Sequence, residues 1–371
     1  MKQVAVADEW GVIERLLPAG WKEAARSKGA FRRARYLSDP APLLRLLLFH
    51  AVNDGGLRET VAHARASKIV EMSQVALLKR LRTAGDWLAW IAGELCRQFR
   101  DRPPVPQGLR LRAIDSTTVQ GPASKGTEWR VHYTLDLRTL NCDWHEVPDA
   151  RGGEHLSRAP VRPGDVLLGD RNFLHPRAIR AVVDAGGHVL IRLRWNHPPM
   201  VSERRGEAVF HALAHARRLR VGQAGDWPVL LLAGEEEPIA GRVVAIRLPR
   251  PVAARSERRV QRTAGRKAIR LDPQSLEAAH FVMLFTTLPA SQLPARGVLE
   301  LYRYRWQIEL TFKRLKQLLK LGRLPHQEPR AARCWILAKL VVALLLETLY
   351  RNATTFSPWG YAFPSTATTV P

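Results

Sequence analysis

The stretch LRLRAIDSTTV, Leu109–Val119, sets the frame for the rest of the chain. Side chains alternate across an extended backbone. Leu109, Leu111, Ala113 and Asp115 therefore share one side, and Arg110, Arg112 and Ile114 the other. The pattern reads as a strand with a carboxylate at its end. WRVHYTLDL (129–137) and LNCDWHEV (140–147) follow as two more strands, the natural partners of a meander. DVLLGDRNF (165–173) is a short apolar strand that stops at Gly169-Asp170. PRAIRAVVDAGG (176–187) is a helix closed by glycines, and HVLIRLRW (188–195) is another strand. Four strands, a helix and a strand make an α/β order with carboxylates at strand ends, where open sheets carry their sites.

Upstream, residues 1–100 read as helical, with apolar residues at three-to-four spacing in PLLRLLLFHAV, LRETVAHARA and SQVALLKRLRTAGDWLAWIAGELCRQF. Asp54-Gly55-Gly56 separates the first from the second, and Ser73 is an N-cap for the third. The second and third make a candidate helix-turn-helix, hence a DNA-binding region; a plain helical bundle is the alternative. DRPPVPQG (101–108) is a Pro-rich linker.

Downstream, the core's first part (109–195) gives way to residues 196–278. WPVLLLAG and AGRVVAIRLP alternate there as strands, so this region reads as a β-rich insertion. Between Arg247 and Arg270 eight Arg and one Lys face one acid, Glu257. This basic arm contacts DNA or is a solvated loop. Residues 279–350 return to the core with the strand HFVMLFTTLP and two long helices, about 294–321 and 328–350. The tail, 351–371, is rich in Pro, Ser and Thr and reads as disordered.

Composition narrows the partner. Over 371 residues, 58 Lys and Arg outweigh 34 Asp and Glu, a net charge of +24. That excess favours polyanions, of which nucleic acid is the commonest. The most apolar segment, CWILAKLVVALLLETL (334–349), is interrupted by Lys339 and Glu347 and reads as a buried helix rather than a membrane span. The N-terminal MKQVAVADEW lacks the apolar run of a signal peptide. Cys96, Cys142 and Cys334 are far apart and unpaired in spacing, which argues against a disulfide framework or a zinc site and fits a reducing cytoplasm.

The stretch YRYRWQIELTFKRLKQLLK (302–320) reads as helix and places one acid, Glu309, among Arg and Lys. At roughly 100° per residue, Tyr302, Arg305, Glu309 and Lys316 fall within about 60° of arc, with Lys313 at the border. Salt-bridging at i,i+4 explains this plainly. A metal-binding carboxylate flanked by phosphate-binding cations explains it as well, since a phosphodiester brings both needs to one spot. Asp115 and Asp170 are the further carboxylates such a site requires.

These residues resemble the DDE transposases of the insertion-sequence-four group. Asp115 in AIDSTT, Asp170 in GDRNF, and Tyr302, Arg305, Glu309 and Lys316 match that family's pattern, the last four as its complete helix signature. The β-rich insertion and the N-terminal helical region are also similar to that group. The resemblance implies an RNase H-like core, a mixed sheet flanked by helices. It implies that Asp115, Asp170 and Glu309 hold two Mg²⁺ ions, with Mn²⁺ as a substitute. Tyr302, Arg305, Lys316 and Lys313 would grip DNA, together with Arg171 beside the second Asp and Trp306 after the signature Arg. It implies metal-dependent hydrolysis at the inverted-repeat ends of a mobile element and strand transfer to target DNA. A homodimer in a paired-end complex and a place on the nucleoid in a bacterial cytoplasm are expected. A related metal nuclease, or a catalytically dead or truncated transposon-derived DNA-binding protein, is the alternative at this point.

Overall fold

The computed structural model describes residues 10–354 apart from 32–37, 54–55, 101–107, 122–128, 150–151, 204–207, 322–323 and the single positions 140, 269, 319 and 327. Most of the Pro-rich linker, Asp54-Gly55 and all but the first four residues of the tail lie outside the described residues.

Five helices come first: α1 (Trp10–Leu16), α2 (Trp21–Ser27), α3 (Pro40–Asn53), α4 (Leu57–Ala66) and α5 (Gln74–Arg100). Ser73 caps α5 as its sequence position suggests, its Oγ accepting the Ala76 N–H at 3.1 Å. The α4–α5 link spans residues 67–73, longer than the three or four residues of a helix-turn-helix. The apolar face of α5 is also committed, with Leu81, Trp87, Leu88, Ile91 and Leu95 buried.

The strands are β1 (Arg110–Val119), β2 (Trp129–Asp136), β3 (Asn141–Glu146), β4 (Asp165–Gly169) and, after helix α6 (Pro176–Asp184), β5 (His188–Arg192). The expected element order therefore holds. β6 (Met200–Ser202), a short α7 (Ala212–Ala216), β7 (Ala224–Ala233) and β8 (Glu236–Arg247) follow. Next come α8 (Arg250–Lys267), α9 (Pro273–Ala278) and β9 (Phe281–Thr286). The chain then forms α10 (Ala295–Arg303), α11 (Trp306–Leu318) and α12 (Pro329–Thr354).

Among the described residues, nine strands form one mixed sheet in the order β3-β2-β1-β4-β5-β9-β8-β7-β6. β1, β4 and β5 are parallel, while β2 and β3 return antiparallel. This half has the RNase H-like order that the resemblance implied. The insertion hairpin β7–β8 is not set apart from the core. It joins through β9, which pairs antiparallel to both β5 and β8. On one sheet face, Ala113, Val131, Tyr133 and Leu135 pack with α5, α11 and α12, while Val166, Leu168 and Leu190 pack under α10. On the other, Ile114, Leu167, Val189 and Ile191 pack with α6 and α7. The result is three layers.

Several details depart from the sequence reading. β1 is buried on both faces, and Arg112 is wholly buried within it. Arg112 donates to Asp143 at 2.6 and 3.1 Å, to Asp165 at 3.0 Å, to Pro160 O at 2.7 Å and to Thr134 at 3.1 Å. The basic arm is an 18-residue helix, α8, not a loop. Arg and Ala are among the best helix formers, and Pro251 suits the helix start, so propensity prevails over charge density. The stretch 302–320 is not one helix: it breaks at Tyr304–Arg305, where bonds run from Tyr304 N to Leu301 O and from Arg305 N to Tyr302 O. α12 does bury its interrupting lysine: Lys339 is 1% exposed, its ammonium 4.2 Å from the Trp335 ring centre. Among the described residues no helix is long and apolar enough to cross a membrane.

Candidate active site

The parallel register of β1 and β4 sets Arg112 beside Leu167 and Ala113 beside Leu168. Two residues further along each chain stand Asp115 and Asp170. Stepping by two preserves the face, so Asp115 lies on the side of Ala113. That side is the one covered by α10 and α11. β4 ends at Gly169, and Asp170 opens a single helical turn, its Oδ1 accepting the Asn172 N–H at 2.8 Å. Asp115 is not at the end of its strand, since β1 continues to Val119 against β2. It lies just past the last residue that β4 pairs, which opens one side of it.

The helix break sorts the signature residues. Tyr302, on α10, is buried with Val166 and Leu168 beneath it, and its hydroxyl donates to Gly169 O at 3.2 Å. It therefore does not share an exposed face with Lys316. Arg305 stands at the break with its guanidinium 5.7 Å from the Tyr302 ring centre and 3.9 Å from Asp115 Oδ2, and it bonds Glu309 in the first turn of α11. Glu309 itself is half exposed. Trp306, Lys313 and Lys316 are exposed on α11, and Arg171 is exposed beside Asp170. The structure thus gathers Asp115, Asp170 and Glu309 around Arg305, with the cations arranged at the rim and Tyr302 beneath.

Sequence reasoning missed Glu154. It follows Gly152-Gly153 in the loop after β3, with no periodicity to mark it. Its Oε1 accepts from Ser116 Oγ at 2.7 Å and from Arg130 Nη1 at 2.9 Å. Arg130, Glu154, Arg171, Asn172, His175 and Arg194 line an open cavity of about 620 Å³ that runs from the Asp170 turn. Tyr304, at the helix break, is 57% exposed.

Burial pushes the Asp115 carboxyl up to about 7, and the negative charges of Asp170 and Glu154 add to this against the Ser116 N–H and Arg305. Burial likewise raises Asp170, with Glu154 adding and the Asn172 N–H opposing. This donor set fits hard divalent cations, which take carboxylate oxygens. Two crowded, partly desolvated carboxylates are also the groups whose repulsion such a charge relieves.

A pH dependence follows for the EDTA-treated protein. Asp115 ionises near pH 4 in the unfolded chain and near 7 in the fold. Between those values the unfolded state releases the proton first, so stability falls as pH rises through the window and levels off above it. Asp115→Asn is expected to flatten that fall and to gain roughly 2–4 kcal/mol at pH 8. Urea unfolding at pH 5 and pH 8 measures it; parallel pH profiles for the two proteins would refute the assignment.

Residues 106–345 match the family described as a transposase DDE domain. The chain belongs to this family of DNA transposases, enzymes that cut and join DNA with divalent metal ions. It is 34% identical over 362 residues to the transposase of insertion sequence element IS421 from Escherichia coli, covering 95% of this chain and 96% of that one. It is 33% identical over 359 residues to the InsL protein of insertion sequence element IS186A from Escherichia coli (strain K12), with the same coverage. A cryo-EM structure of the piggyBac transposase synaptic complex with hairpin DNA aligns over 85% of this chain and 66% of that one, at 10% identity and a TM-score of 0.46.

Proposed function

We propose that Asp115, Asp170 and Glu309 hold two Mg²⁺ ions, with Mn²⁺ able to substitute, and that the chain cuts and joins the inverted-repeat ends of its own element as a homodimer. The supporting observation is the adjacency of Asp115 and Asp170 on the α11 side of the sheet, with Arg305 set against both Asp115 and Glu309. When bound, the ions supply Lewis-acid activation of the attacking oxygen and offset charge on the leaving one. Arg305 holds the Glu309 carboxylate toward the sheet. Tyr302, through Gly169 O, fixes α10 against the strand that carries Asp170, and so serves positioning rather than phosphate contact. Arg171, Lys313 and Lys316 bind phosphates flanking the cut, and Trp306 offers a stacking surface for an unpaired base. Hydrolysis frees a 3′ hydroxyl at the element end, and that hydroxyl attacks the target strand in line.

The test is incubation with a plasmid carrying the DNA that flanks this gene, in Mg²⁺, Mn²⁺ or EDTA, followed by sequencing of cut and joined ends. Metal-dependent cutting at the repeats with joining to target supports the proposal. Cutting without joining would make the chain a nuclease, and binding without cutting would make it an inactive copy.

α8 extends the DNA surface in this reading. Arg250, Arg255, Arg258, Arg259, Arg262 and Arg266 are all exposed on it. Arg258, Arg262 and Arg266 stack at i,i+4, a repulsive column that phosphates would relieve. Changing Arg255, Arg258, Arg262 and Arg266 to Ala is expected to lower the slope of log K against log salt by roughly 3–4, about 0.9 for each lost phosphate contact. Binding isotherms from low to moderate salt measure it, and an unchanged slope would remove α8 from the interface.

A further inference from the structure

The two cysteines that looked unrelated in the sequence meet in the fold. Cys96 from α5 and Cys142 from β3 are buried free thiols, with their sulfurs 3.4 Å apart. His145 from β3 completes the cluster, its Nδ1 3.5 Å from Cys96 Sγ. One ligand atom from each of the three residues lies within 4.8 Å of the other two.

The local backbone is shaped to make this cluster. Residues three apart on a regular strand point to opposite faces. Between β2 and β3 the register slips: Thr134 pairs with Trp144, but Leu135 pairs with Cys142, so Asp143 is passed over. Cys142 is thereby placed opposite Leu135 and His145 opposite Tyr133. Leu135 and Tyr133 share one face, the one packed under α5 and α12. The bulge thus turns Cys142 and His145 to the same side, toward Cys96. Bulges of this kind re-aim side chains next to sites. A carboxylate from a third element faces the same spot: Glu347 on α12 accepts from Tyr133 Oη at 3.1 Å and from the Cys142 N–H at 3.4 Å.

We propose that Cys96, Cys142 and His145 bind one Zn²⁺ ion in a site separate from the carboxylate centre. Tetrahedral zinc with Zn–S about 2.3 Å and Zn–N about 2.0–2.1 Å puts two sulfurs about 3.8 Å apart and a sulfur and nitrogen about 3.5 Å apart. The Cys96–Cys142 and Cys96–His145 distances in the fold are close to those, and the third pair lies within 4.8 Å. Two thiolates and an imidazole are the soft set that prefers zinc over the hard ions suited to carboxylates. Half-buried His145 gives the ion a way in, and water completes the fourth position. The bound ion ties α5 to β3, the edge strand of the sheet, and so fixes the N-terminal helices on the core.

The test uses the tag-free full-length chain, treated with EDTA, then returned to Zn²⁺ or Co²⁺ in the presence of Mg²⁺. One zinc per chain is expected to survive gel filtration, and cobalt is expected to show a thiolate charge-transfer band that carboxylate ligands cannot give. Cys96→Ser and Cys142→Ser should each lose both signals. His145→Asn, at a partly exposed position, should keep the fold by circular dichroism and weaken zinc binding roughly tenfold or more. Zinc should also raise the melting temperature of the wild-type chain, and raise that of His145→Asn by less at the same zinc concentration. A folded wild type without zinc, a cobalt spectrum without the thiolate band, or zinc retained in the cysteine variants would each overturn the proposal. So would loss of the Cys96 and Cys142 thiols to a mutual disulfide under hydrogen peroxide at the same rate with and without zinc. None of these readouts depends on DNA cleavage, so failure here leaves the proposed cutting reaction untouched.

Discussion

Glu309→Gln is expected to bind element-end DNA about as tightly as the wild type and to cut it on the order of a thousandfold more slowly. The substitution keeps the shape of the side chain and one acceptor for Arg305 while removing the charge. Glu309 is half exposed, so little folding energy depends on it. The competing explanation is an ordinary i,i+4 pair with Arg305, worth about 0.3–0.5 kcal/mol on a helix surface. The two readings differ by orders of magnitude in cleavage, and single-turnover cutting of a pre-bound end separates them. Cleavage within a few-fold of wild type would reduce Glu309 to a helix-surface partner. It would also shift attention to Glu154, a carboxylate whose charge reaches both aspartates.

Arg112→Ala is expected to destabilise the fold by about 3–5 kcal/mol. Arg112 is wholly buried, and its guanidinium is the shared partner of Asp143 and Asp165. Arg110 reaches Asp165 as well, at 2.7 Å, but it approaches from a more exposed position. Truncation leaves Asp165 with Arg110, but leaves the wholly buried Asp143 with Thr134 and a 3.8 Å approach from Arg110. The removal of one partner, rather than the net worth of the pair, sets the cost. Urea unfolding measures the loss, and a second variant makes the cause visible. Arg112→Leu combined with Asp143→Leu should recover part of the stability by removing an unpaired charge. If the double variant is no better than Arg112→Ala, the loss comes from packing and not from charge. Because Asp115 stands three residues along the same strand, cleavage should fall in both variants wherever β1 is disturbed.

The core strands were legible because short continuous apolar runs such as DVLLG and HVLIR are bounded by turn residues, and because glycines close α6. Asp170 was legible because it stands where such a run meets a turn, and Asp115 because it follows the alternating start of β1, although that strand runs on to Val119. The alternation put Arg112 on the side of Ile114 correctly, but it could not show that this side is a second buried layer with acids ready to pair. The break at Tyr304–Arg305 left no Gly or Pro to reveal it. What turns the chain there is the burial of Tyr302 against β4 and the attraction of Arg305 to the acids, both set by tertiary contacts. α8 was hidden by its charge, which suggested a solvated arm although its residues favour helix. Glu154 and the Cys96–Cys142–His145 cluster had no local signal, since their partners lie tens of residues away.

The break between α10 and α11 also divides labour along the chain. Residues before it are anchored to the sheet, with Tyr302 fixed on Gly169 O. Beyond it, α11 keeps Ile308, Phe312 and Leu315 inward and leaves Trp306, Lys313, Lys316 and Gln317 facing out. The outward positions can change without loosening the fold, while the anchor holds the turn that carries Asp170. In the proposed reading, substitutions on this outward face change the grip on DNA phosphates, while the half that is anchored to the sheet keeps its packing.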